Sequence, residues 1–231
     1  MTIALLDYPK ANIRVVVETD FEKSWRSAPA RKEPETTAWI DEYVQKGDVF
    51  YDIGANVGSY GFMAASRGAK VYAFEPEALN FARLCQNLSL NPDLDVTPLP
   101  VGLWEVCTVQ KLYLKHRIPG AASASLTAPK VSNGNVQTQF ITCLTLDVLD
   151  AFQIPLANHL KLDVDGYEPE VLAGGRMLLE SPELRTVMAE LNHADWDRFQ
   201  QAGMALKRAG FVQKDEWLRS STFFMHLFVR P

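Results

Sequence analysis

Apolar positions along this chain recur in two rhythms that take turns. Trp39, Ile40, Tyr43 and Val44 fall at helical spacing and Gly47 follows as a stop, which predicts an amphipathic helix. Residues 49–53 form a short apolar run opening onto glycines, the mark of a strand; a helix to Arg67 and a second strand at 70–74 follow. Phe81, Leu84, Cys85 and Leu88 share the next helix face, Pro92 ends it, and 94–101 is extended. Between 103 and 142 the rhythm breaks. Two β-like stretches, 108–114 and 136–142, flank a loop of small residues at 120–125 and predict an inserted hairpin. Alternation then resumes with a short helix at 146–152, a strand at 159–164, a helix from Pro169, and a strand at 185–192. Trp196, Phe199, Gly203 and Leu206 mark a further helix face.

The last two extended runs, 211–217 and 222–229, are joined by four residues, too few for a parallel crossover, so they are antiparallel neighbours. The pattern predicts an α/β fold: a mostly parallel seven-stranded sheet, a C-terminal antiparallel hairpin, and helices on both faces. Residues 34–231 are expected to form one domain carrying the insertion at about 103–142. Residues 1–33 lack sustained periodicity and read as an irregular N-terminal cover whose basic set, Lys23, Arg26, Arg31 and Lys32, would be a solvated face. In such a sheet the ligand binds at the C-terminal strand ends near the point where strand order reverses.

Composition narrows the function classes. Hydrophobic residues make up 47% and charged residues 22%, which excludes global disorder, and the net charge of −5 disfavours nucleic acid or an anionic membrane surface as partner. Cys85, Cys107 and Cys143 form no C-x-x-C pair, so neither a disulfide framework nor a thiolate zinc site is indicated, and a reduced compartment is expected. No apolar run approaches the roughly 20 residues of a membrane span. A cytoplasmic protein is therefore expected; oligomeric state leaves no signal.

Chemistry gathers at the predicted strand ends. The first reads Asp52-Ile53-Gly54-Ala55-Asn56-Val57-Gly58, a glycine turn into a helix, and the next ends at Glu75, a carboxylate placed to accept hydrogen bonds from a ribose diol. A dinucleotide fingerprint needs a middle glycine where this chain has Asn56, and Asp52 adds a negative charge, so the turn suits a cationic nucleoside better than a pyrophosphate.

These blocks, D-I-G-A-N-V-G at 52–58, A-F-E-P at 73–76 and L-K-L-D-V-D-G-Y-E-P-E-V-L at 160–172, resemble the FkbM family of S-adenosylmethionine-dependent methyltransferases, over about 33–229. The resemblance implies a Rossmann-like class I methyltransferase fold, S-adenosylmethionine as cofactor, and O-methylation of a hydroxyl on a sugar or natural-product-like small molecule. It places Asp52, Gly54, Ala55, Asn56 and Gly58 around the methionine end, Glu75 at the ribose, Val101 and Gly102 at the adenine, and Asp163 beside them.

Methylating an alcohol needs a proton acceptor. Of the four histidines, His193 directly follows a predicted central strand and is the first candidate base, and Asp163 or Asp165 would take the proton or orient the cofactor. Asp163, Asp165, Glu190 and Asn192 offer oxygens of the kind Mg²⁺ takes, yet no short motif encodes such a site and no metal is expected. Two other readings stay open: an NAD-dependent oxidoreductase, which would lack the middle glycine and a Tyr-x-x-x-Lys pair, and a noncatalytic nucleotide-binding module docking through its basic N-terminal segment.

Overall fold

A computed structural model describes residues 1–122, 124–128 and 136–231. The N-terminal segment, expected as an irregular cover, carries four short elements. Strands β1 (Ile3–Leu5) and β2 (Arg14–Val16) pair antiparallel, and a π-helical turn (Glu22–Arg26) leads to the short helix α1 (Pro29–Lys32). What fixes it is polar and long-range, hence invisible to periodicity: the buried Glu22 carboxylate accepts from the Glu18 and Thr19 amides and pairs with Arg83, and Asp7 accepts from the Ala30 and Arg31 amides.

From there α2 (Pro34–Tyr43), β3 (Val49–Ile53), α3 (Ser59–Ser66), β4 (Lys70–Phe74), α4 (Ala78–Ser89) and β5 (Val96–Leu99) follow in order. Strands β6 (Gly102–Leu103), β7 (Thr108–Leu114), β8 (Ala124–Ser125) and β9 (Gln137–Leu144) then make a separate four-stranded sheet, with β7 and β9 antiparallel. The region expected to be an inserted hairpin thus contributes a small sheet of its own. After a 3₁₀ turn (Asp147–Phe152) come β10 (His159–Leu162), α5 (Glu168–Ala173), α6 (Arg176–Glu180), β11 (Thr186–Asn192), α7 (Trp196–Arg208), β12 (Val212–Leu218) and β13 (Phe223–Val229). The helix expected from Pro169 is two helices. They part at Gly174, where a Cβ would meet the Trp104 carbonyl oxygen at 2.1 Å, so the break lets the insertion pass close by.

The main sheet has the order β12-β13-β11-β10-β3-β4-β5. All pairs are parallel except those β13 makes with β11 and β12, which is the expected terminal hairpin. Apolar side chains alternate between two cores. Trp39, Ile40, Phe50, Phe62, Met63 and Leu84 pack on one face with α2, α3 and α4; Tyr51, Ile53, Leu160, Leu162, Leu172 and Leu206 pack on the other with α5, α6 and α7. Strand β3 lies inside the sheet, covered on both faces, and so reads as a nearly unbroken apolar run. Burying one such side chain stabilises the fold by about 1.5–3 kcal/mol relative to leaving it in water. Among the described residues, no helix is long and apolar enough to cross a membrane.

Candidate active site

A cavity of about 290 Å³ opens at the C-terminal ends of β3, β4 and β10, where the strand order reverses. Its floor is the first glycine turn. Gly54 has φ +80° and lies against the Asp163 backbone, and Asn56 has φ +52°, a left-handed conformation that asparagine tolerates. The Asn56 side-chain amide donates to the Ala121 carbonyl at 3.0 Å, while its Oδ1 is buried with no hydrogen-bond partner among the described residues. Glu75, at the end of β4, accepts from the Asn56 amide through one oxygen and from the Glu77 amide through the other, both at 2.8 Å. Burial pushes its carboxyl up to about 7 despite those bonds.

The roof comes from the insertion. Asn80 accepts from the Gly120 amide at 2.8 Å and donates to Ala121, and Arg26 donates to the Gly120 carbonyl at 2.7 Å. On the other side the Tyr167 hydroxyl accepts from the Leu126 amide at 3.0 Å and contacts Ser125. Leu112, Ile141 and Cys143 give this part an apolar lining.

At the far wall stand the acids of β10 and β11. Lys161 is fully buried and donates to Asp163 at 2.9 Å. Burial would lower the Lys161 ammonium, but Asp163, Asp52 and Glu33 outweigh it and keep the lysine charged. Burial would likewise raise Asp163, but Lys161, with Lys32 farther off, holds it below the usual carboxylate range. Glu190 behaves oppositely. Burial first, then the negative charges of Asp163 and Glu33, push it up to about 8. Two carboxylates of one cavity are thereby tuned apart.

Of the expected site residues, Gly54, Asn56, Glu75, Val101, Gly102, Asp163 and Asp165 line this cavity, whereas Asp52, Ala55, Gly58 and His193 do not. Strand parity explains two of the four. Asp52 points to the face opposite Ile53, where its Oδ2 accepts from the Gly61 amide of α3 at 2.9 Å and burial pushes its carboxyl up to about 6. His193 lies an odd number of residues from Glu190. It turns with Leu191 toward α7, its ring 4.3 Å from Phe199 and stacked 4.0 Å from Phe224. Ala55 is part of the core, and Gly58, at φ +94°, starts α3 against the Phe62 ring.

Glu168, which opens α5, binds the turn before it by accepting from the Val164 and Gly166 amides at 3.1 Å each. Arg26 and Lys32 line the cavity although their segment read as a solvated face, and nothing local marks them out. Lys161 did leave a trace: a lysine between two leucines of a fully buried central strand is costly unless paired.

The chain is similar to known methyltransferases. A hexuronic acid methyltransferase, AglP, of Haloferax volcanii is 27% identical over 169 residues; the match covers 69% of this chain and 63% of that relative's length. Precorrin-6y C5,15-methyltransferase from Geobacter metallireducens superposes with a TM-score of 0.55 at 10% identity, covering 94% of each chain. Magnesium protoporphyrin IX methyltransferase from Synechocystis gives 0.55 at 13% identity, over 94% of this chain and 86% of its own. Those two likenesses establish the fold, a class I methyltransferase fold. With the Methyltransferase FkbM domain matching residues 52–222, the chain belongs to the FkbM methyltransferase family, whose methyl donor is S-adenosylmethionine.

Proposed function

We propose that this protein transfers a methyl group from S-adenosylmethionine to an oxygen of an acidic sugar, a hydroxyl being the group methylated. The observation that carries the reading is one cavity holding a ribose-type carboxylate, Glu75, at one end and the oppositely tuned Asp163 and Glu190 at the other. The cavity suits the cofactor. Glu75 keeps lone pairs for a ribose diol beside the amides it already accepts from, the unpartnered Asn56 Oδ1 offers an acceptor to an ammonium, and the apolar stretch at Val101 and Gly102 takes an adenine. When bound, the cofactor supplies a methyl group on a positively charged sulfur.

The chain's own residues do the rest. Asp163, kept ionised by Lys161, supplies negative charge beside that sulfonium and helps orient it. Glu190 takes the hydroxyl proton: a carboxylate with a pKa near 8 is a far better base than an ordinary one, and its pKa lies close to a working pH. Asp165, on the rim, orients the acceptor. Arg26 and Lys32 supply positive charge for a carboxylate, of the cofactor or of the sugar, and the name of the Haloferax relative supports a uronic acid. A small acceptor fits this cavity and the net charge of −5 better than a nucleic acid does.

The test is direct. Purified protein, S-adenosylmethionine and a panel of uronic acid glycosides are incubated beside their neutral counterparts, and methylated sugar and S-adenosylhomocysteine are read by mass spectrometry. Methylation of the acidic members above the neutral ones supports the proposal. Turnover of neutral sugars alone removes the acidic acceptor, and methyl ester rather than ether products move the reaction from hydroxyl to carboxylate.

A further inference from the structure

Away from the cavity, the antiparallel edge of the sheet brings together the only set of three His, Cys, Asp or Glu side chains within metal-ligand distance among the described residues: His193, Glu216 and His226. One ligand atom from each lies within 4.8 Å of the other two. Cross-strand register makes the meeting, since Glu216 on β12 stands directly opposite His226 on β13. His193 comes from the residue after β11, where its amide continues the ladder by donating to the Thr222 carbonyl at 2.8 Å.

Two features set this cluster apart from a chance grouping. His226 is fully buried, yet its Nδ1 has no hydrogen-bond partner among the described residues, the nearest carboxylate oxygen of Glu216 lying 3.7 Å away. That edge of the ring faces the Glu216 carboxylate, while its other nitrogen faces His193. The Nε2 atoms of His193 and His226, moreover, stand 2.9 Å apart, sharing a hydrogen bond that an ion would replace. Two ligands of a tetrahedral zinc with bonds of about 2.0–2.1 Å are separated by about 3.3 Å, so a small shift would admit an ion between the rings. The rings of Phe199 and Phe224 pack against His193 and hold its orientation.

We propose that His193, His226 and Glu216 form a zinc site, two imidazole nitrogens and one carboxylate oxygen with water completing the tetrahedron. The ion would tie together the ends of β11, β12 and β13, and so brace the strand that carries Glu190 into the cavity. Nothing in the methyl-transfer chemistry requires it.

The experiment uses the tag-free full chain, stripped with a chelator and titrated with ZnCl₂ by calorimetry. His193→Ala and Glu216→Gln serve as variants because both side chains reach solvent. Wild type should bind one Zn²⁺ per chain and melt at a higher temperature with zinc than without. Each variant should melt like wild type in chelator but bind zinc at least about tenfold more weakly, the usual cost of losing one member of a metal's ligand set or its support. Co²⁺ in place of zinc should give the visible absorption of a four-coordinate ion with imidazole and oxygen ligands. Failure of wild type to bind one equivalent overturns the site. So does unchanged affinity in His193→Ala, since His116 and Cys107, exposed elsewhere, are intact in that variant.

Discussion

A Cβ placed on Gly54 would lie 1.9 Å from the Asp163 carbonyl oxygen. The glycine turn after β3 and the acidic turn after β10 therefore form one interlocked unit, and Gly54 is demanded twice, by its φ of +80° and by this approach. A methyl group there costs about 1–2 kcal/mol in conformation and about 1–3 kcal/mol in overpacking. Gly54→Ala should consequently destabilise the chain by about 2–5 kcal/mol and weaken cofactor binding. Urea unfolding measures the first; a midpoint within error of wild type would mean that the turns are not coupled.

Glu75 should bind the ribose in its ionised form. With its carboxyl at about 7, cofactor affinity should be higher at pH 8 than at pH 6, because a carboxylate offers acceptors on both oxygens where the acid carries a proton on one. Glu75→Ala should cost tenfold or more in affinity, since each charge-assisted bond is worth about 1.5–3 kcal/mol. Calorimetry at both pH values on wild type and variant decides it. A pH-independent affinity would exclude the role.

The same carboxyl sets a stability trend in the cofactor-free protein. Glu75 and Glu168 both titrate at about 7 when folded against 4.5 ordinarily, each first because of burial. Between these values the unfolded chain loses protons that the folded chain keeps, so their contribution is full below pH 4.5 and is lost as pH rises to about 7. Thermal melts should show stability declining over that window. Glu168→Gln should reduce the slope, and a wild-type trend of opposite sign would rule the account out.

Methyl transfer should accelerate with rising pH up to about 8, the Glu190 value, and level off above it. Glu190→Gln should lower the rate by about 10² to 10⁴, a typical share for general-base catalysis, and abolish this rise. Cofactor affinity should change little. His193→Ala should keep the rise near pH 8, because its ring faces Phe199 and Phe224 rather than the cavity. If the rise disappears in His193→Ala and survives in Glu190→Gln, the base assignment is reversed.

Lys161→Met removes the ammonium that Asp163 and its neighbours share. An uncompensated buried charge typically costs about 3–5 kcal/mol. Asp163 should then titrate well above its present position, so the variant, where it folds, should lose activity at a higher pH than wild type as the medium is acidified. Superimposable acid limbs for the two proteins would show that Lys161 is only packing.

Sequence alone determined most of the elements of the main sheet and their order, because helices and strands are written in local periodicities of 3.6 and 2, and it placed candidate chemistry at the strand ends. Glycine turns and the acid after β4 are local in the same sense, which is why the sequence singles out Gly54, Asn56 and Glu75, all of which line the cavity. Tertiary structure decided which face each side chain takes and what distant segments meet there. One residue of strand parity separates Asp52 from the cavity and sends His193 toward α7 while Glu190 faces Asp163. Arg26 and Lys32 arrive from a segment with no apolar rhythm, held by the buried Glu22 to Arg83 pair and by Asp7, contacts that span tens of residues. The tuning of Asp163 and Glu190 is likewise a property of burial and neighbouring charge, which exists only once the chain has folded.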